Sequence, residues 1–104
     1  MTFNVTTPYA EYKDCRLTRA AYSNGHIALS IDNDVDGPIA HLTVNIDCIN
    51  DKPENWVAVD TNNFPEAEAL IEQLGIGVPV GLGVSGFCLY PVYKFDTEAV
   101  EKYL

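Results

Sequence analysis

Asp32, Asp34, Asp36 and Gly37 stand at the spacing that opens a calcium-binding loop, where alternate carboxylates converge on a hard cation and glycine permits the sharp turn. The second half of such a loop is missing. Its twelfth position is Thr43, where a bidentate glutamate belongs, and Pro38 follows the glycine directly. The three aspartates are therefore weak metal candidates, and a polar connection between strands accounts for each of them. Gly81, Gly83 and Gly86 repeat the G-x-G-x-x-G spacing of a dinucleotide cradle. That cradle needs a strand before it and a helix N-terminus after it, to aim free amides at the pyrophosphate. The order here reads helix, loop, strand, so the glycines point to special backbone geometry and no cofactor is expected.

Covalent catalysis would draw on Cys15, Cys48 or Cys88 with His26 or His41. Cys88 lies in an apolar run, where cysteine acts as a small hydrophobe. The two histidines fall on neighbouring predicted strands, and with Cys48 or an aspartate they would offer zinc ligands. No short-spaced ligand pair supports that reading. Fifteen acidic residues offer many carboxylate pairs, and none is singled out. What stands out instead is aromatic surface with polar handles, a composition that suits protein interfaces as well as cores. Trp56, Gly83, Ser85, Phe87, Tyr90 and Tyr93 form the candidate binding set, in a chain expected to be non-enzymatic.

These residues must be placed by the elements around them. Apolar and polar residues alternate over 15–21, and Ser23-Asn24-Gly25 follows as a hairpin turn. Ile27, Leu29 and Ile31 share one face of a second strand. Leu42, Val44 and Ile46 share one face of a third, over 39–46, against His41, Thr43 and Asn45. A short strand covers Trp56 to Asp60. A helix is predicted from Phe64 to Leu74, with Asn63 as N-cap, Pro65 in its first turn and Gly75 as the left-handed stop. A loop rich in Gly and Pro, 76–86, then leads to a strand over 87–95, where Pro91 suggests an edge or a bulge. Asp96 caps a short C-terminal helix, and residues 1–14 give no clear pattern. The expected architecture is α+β: one antiparallel sheet of four or five strands, with a main helix packed on a face and a short C-terminal helix.

The 104 residues fit a single domain with one modest core. Net charge is −9, and it is uneven, with +1 over residues 1–25 and −10 over the remainder. Such a body repels phosphate backbones and has no basic stripe, which argues against direct nucleic-acid binding. It is instead suited to imitate nucleic acid before a basic partner. Three cysteines without a Cys-x-x-Cys spacing fit reduced thiols. No basic segment followed by an apolar run opens the chain, and no membrane span is predicted, so a cytoplasmic location is expected.

Asn24-Gly-His-Ile-Ala-Leu29, Thr43-Val-Asn45, Thr61-Asn-Asn-Phe-Pro65 and above all Ser85-Gly-Phe-Cys-Leu-Tyr-Pro-Val-Tyr-Lys-Phe95 carry a resemblance. Over about 22–95 the chain resembles the bacterial domain-of-unknown-function family 4313, including a Gly-x-x-x-Pro-x-Gly pattern at Gly75 to Gly81. The resemblance implies an association with mobile genetic elements of gut and related bacteria, and brings no activity, cofactor or catalytic residue. Together these readings predict an accessory protein that binds another protein, and in their sharpest form an acidic mimic of nucleic acid that disarms a host nuclease. The alternative is a small-molecule or metal binder with the 75–88 loop as its mouth. A monomer or a small homo-oligomer is expected, and a homo-oligomer would be joined through strand 87–95.

Overall fold

A computed structural model describes residues 1–104. The chain builds β1 (Phe3–Thr6), β2 (Glu11–Ala21), β3 (Ile27–Asn33), β4 (Gly37–His41) and β5 (Thr43–Val44). A 3-10 turn at Asp47–Ile49 precedes β6 (Trp56–Val59), α1 (Ala67–Leu74), β7 (Gly77–Ser85), β8 (Cys88–Phe95) and α2 (Thr97–Glu101). Every strand pairing is antiparallel. The α+β class is as expected, but the single sheet is not. There are two four-stranded sheets, ordered β1-β2-β3-β4 and β5-β6-β8-β7.

The division falls at Leu42. The alternation over 39–46 suggests one strand, yet the chain bends at this fully buried residue. The Leu42 N–H donates to the Leu29 carbonyl of the first sheet at 2.9 Å, and its own carbonyl accepts from the Asp60 N–H at the end of β6 at 3.0 Å. One residue therefore bonds to both sheets. Thr43, expected to face water, is buried beside it. Its hydroxyl accepts from the Leu29 N–H at 3.0 Å and meets the Tyr22 hydroxyl at 2.9 Å, which satisfies a polar group that burial would otherwise penalise.

The first fourteen residues are ordered by pairing rather than by pattern. β1 lies along β2, with Phe3 opposite Cys15 and Val5 opposite Tyr12, so the register slips between them. Asp14 absorbs the slip at φ +54°, in the left-handed region that few side chains adopt, and its N–H donates to Asn4 Oδ1 at 3.2 Å.

α1 starts later than predicted. Asn63 does not cap it; its backbone N–H and side-chain amide both bond to buried Asp60, while Phe64 N–H donates to the Asp60 carbonyl at 2.9 Å. Asp60 thus organises a turn that carries Pro65 before the helix begins. The stop is as read. Gly75 has φ +66°, and Ile76 N–H reaches back to the Ile71 carbonyl at 3.3 Å. Ala67, Leu70, Ile71 and Leu74 enter the one apolar core shared by both sheets. Asp96 caps α2 as expected, accepting from the Glu98 and Ala99 N–H groups. Beyond α2 the Tyr103 carbonyl accepts from the Leu17 N–H at 2.7 Å, and its ring meets Phe3 edge-on at 5.6 Å. No helix is long and apolar enough to cross a membrane.

Candidate functional site

The predicted loop 76–86 is a strand. β7 runs the length of β8 from Gly77 opposite Phe95 to Ser85 opposite Cys88, and Gly86 and Phe87 form a two-residue turn. Gly86 has φ +61°, at the position where type II′ hairpin turns place glycine. Val80 is left without a partner between the Pro79–Tyr93 and Gly81–Val92 pairs, which makes a bulge. Nine residues that read as a binding loop thus become the edge of the second sheet.

Gly83 sits in this strand for a steric reason. A Cβ there would stand 2.6 Å from Ile46 Cδ1 and 2.8 Å from Cys48 Sγ, so only a bare backbone lets the hairpin lie against the 3-10 turn. Pro91 is likewise accommodated. The pairing of β6 with β8 ends at Ala58 opposite Val92, so β8 needs no donor toward β6 at position 91. β8 itself is an inner strand, and the edge expected there belongs to β7.

The six candidate residues do not converge. Tyr93 is buried, and its hydroxyl donates to Glu68 Oε2 of α1 at 2.6 Å. Tyr90 lies opposite Gly83 and accepts from Asn62 Nδ2 at 3.4 Å; its hydroxyl pKa is raised, first by the neighbouring Cys88 side chain and then by desolvation. Trp56 is half-buried, and its carbonyl is bonded to His26 Nδ1 at 2.7 Å. Ser85 closes the hairpin, and Phe87 projects from its tip, wholly exposed.

The register brings together a set that the sequence reading passed over. Leu82 lies opposite Pro91 and Val84 opposite Leu89, so these four share one face of the hairpin. Leu82 is 70% exposed, Val84 62% and Leu89 55%. The strict alternation Val78, Val80, Leu82, Val84 was the available sign of a strand, hidden by the glycines and proline between. No charged residue occurs from Gly75 to Tyr93.

The other candidates are engaged elsewhere. Asp32 accepts from Arg16 Nε at 3.1 Å and from the Thr18 hydroxyl, and Asp34 accepts from Arg16 Nη2 at 2.6 Å. Asp36 accepts from Asn33 Nδ2 at 3.0 Å. Protein donors thus hold all three carboxylates, and no group of three or more His, Cys, Asp or Glu side chains converges. His26 is buried and His41 exposed opposite Ser30, so they do not form a pair. Beside the bulge lies a hollow of about 240 Å³ lined by Cys48, Ile49, Lys52, Trp56 and Val92 among others. A wider one of about 580 Å³ sits at the root of the hairpin, where Asn55 holds the Phe95 carbonyl and Asp96 holds α2. In the wider hollow the Asn55 amide and the Asp96 carboxylate are thus occupied with backbone.

A family model described as a domain of unknown function, DUF4313, matches residues 15–104. The chain belongs to this family. The DUF4313 match runs beyond the 22–95 of the recognisable motifs, and so takes in β2 from Cys15 onward and the C-terminal segment that closes upon it. No curated protein and no solved structure matches the chain.

Within this DUF4313 fold, Tyr93 gives a measurable pH dependence. Burial first, and then the bond to Glu68, push its hydroxyl up to about 12. Below about pH 10 the phenol is protonated in both folded and unfolded chains, and its contribution is complete. As pH rises from about 10 to about 12 the unfolded chain loses the proton while the folded chain keeps it, so stability falls by at most about 3 kcal/mol. Urea unfolding at several alkaline pH values is expected to show a steeper loss for the natural protein than for Tyr93→Phe. Equal slopes would remove Tyr93 as the source.

Proposed function

We propose that this protein is a binding module that docks another protein chain through the exposed apolar end of the β7–β8 hairpin. The observation that carries the reading is the shared face of Leu82, Val84 and Leu89, extended by the wholly exposed Phe87. Together they present roughly 500 Å² of apolar surface, near the top of what monomers ordinarily show. Aromatic and aliphatic anchors without charge are what the centre of a protein interface uses. The rest of the chain, at −9, suits solubility and orientation at the rim.

Phe87→Ser and Leu82→Ser alter side chains that hold nothing in the fold, so the melting temperature is expected to stay unchanged. Capture of the natural partner in the native host should weaken roughly thirty-fold for the loss of one such anchor. Partner capture that is indifferent to both substitutions would overturn the reading. Capture that survives them but collapses with added salt would instead support docking through the acidic body, as in nucleic-acid mimicry.

A further inference from the structure

The hairpin has an open backbone edge as well as an apolar face, and the two together specify a partner. The other strand edges are short or covered. β1 has four residues, β4 has five including Pro38, and β5 has two. Beyond β1, the Leu17 N–H on β2 is taken by Tyr103. β7 alone is long, nine residues, and bounded on one side by nothing.

Its two halves differ. Near the root, Pro79 removes a donor and the bulge at Val80 twists the edge, both devices that stop another strand from pairing. From Gly81 to Ser85 the ladder is regular and carries neither proline, bulge nor charge. Ser85 and Cys88 flank a two-residue turn and therefore form a hydrogen-bonded pair, so by alternation Leu82 and Val84 turn their backbone groups outward.

We infer, resting on the docking reading above, that the occupant of this edge is a second copy of the same chain, with Gly81–Ser85 pairing antiparallel to its symmetry mate across a twofold axis. An isologous contact must be self-complementary, and a neutral apolar strand is. Two bodies of −9 repel wherever else they meet, whereas Gly75–Tyr93 brings no charge to the contact. Pairing along Gly81–Ser85 sets the exposed Leu82 and Val84 side chains of one copy beside those of the other, so cross-strand apolar contact adds to the backbone bonds. The bulge ends the pairing at Val80, which closes the assembly at two copies rather than a fibre.

Light scattering of the purified protein at ~100 μM is expected to give twice the 11.5 kDa chain mass. Raising salt from about 20 to about 200 mM should tighten the dimer several-fold, because it screens the like charges of the two bodies. Leu82→Glu places two carboxylates across the axis and should weaken the dimer at least about a hundred-fold. Val35→Glu, the same charge change in the exposed β3–β4 turn of the other sheet, should leave it intact. A monomer at that concentration, or a dimer unaffected by Leu82→Glu, overturns the inference. A photo-crosslinking residue at position 87 in the living host separates this failure from that of the docking reading. A crosslink to a second copy supports both, a crosslink to a different protein overturns the dimer alone, and no crosslink to any protein overturns both.

Discussion

Phe95→Ala is expected to lower the free energy of unfolding by about 3–5 kcal/mol, measured as a shift of the urea midpoint at unchanged slope. The ring is fully buried, at 0% exposure, and stands where three elements meet. Its own backbone is clamped by Asn55, whose carbonyl accepts from the Phe95 N–H at 2.9 Å and whose side-chain amide donates to the Phe95 carbonyl at 3.0 Å. Gly77 on β7 leaves it room, since a Cβ there would come within 3.1 Å of the ring. Tyr93 lies against it with centroids 6.3 Å apart. With the backbone pinned on both sides, the strands cannot close over the space left by alanine, and the cavity term adds to the lost transfer energy. For a domain whose whole margin is about 5–15 kcal/mol, that loss removes a large share of the folded population at elevated temperature. Phe95→Leu should recover most of it. A loss below about 1 kcal/mol for alanine would mean that the packing at this junction relaxes freely.

Leu42→Ala should cost about 2–5 kcal/mol, and its distribution is as informative as its size. The two backbone bonds of Leu42, to Leu29 and to Asp60, survive truncation of the side chain. What is lost is a fully buried side chain of the core that both sheets share. Amide exchange should therefore accelerate in both sheets together. Acceleration confined to one sheet would show that the two unfold as separate units, with Leu42 serving only one of them.

Features set by neighbours in sequence were readable beforehand. Gly75 stops α1, Asp96 caps α2 and Asn24-Gly25 turns β2 into β3, because each answers a local backbone demand. The misread elements answer to distant partners. Pro79, Gly81 and Gly83 signal a loop by composition, yet Gly83 is there because Ile46 and Cys48, far back in the chain, press against it. Thr43 looks solvent-facing until Tyr22 and the Leu29 amide supply its partners. Asn63 looks like a helix cap until buried Asp60 claims it. The site shared this fate. The aromatic residues were visible as a group, but Tyr93 went to α1 and Tyr90 to Asn62, and the exposed face fell to aliphatic residues whose alternation the glycines and proline between them obscured.

The bond from Leu17 to Tyr103 has a consequence for the order of events during synthesis. β2 emerges early, but one of its donors waits for a residue made near the other end of the chain, and the Phe3 ring waits for the same tyrosine. The β7–β8 hairpin, by contrast, closes on itself outward from the Ser85–Cys88 pair beside its turn and is free to form as soon as it leaves the ribosome. The first sheet made is therefore the last to be finished, and until Tyr103 arrives its edge remains open to whatever strand is nearby.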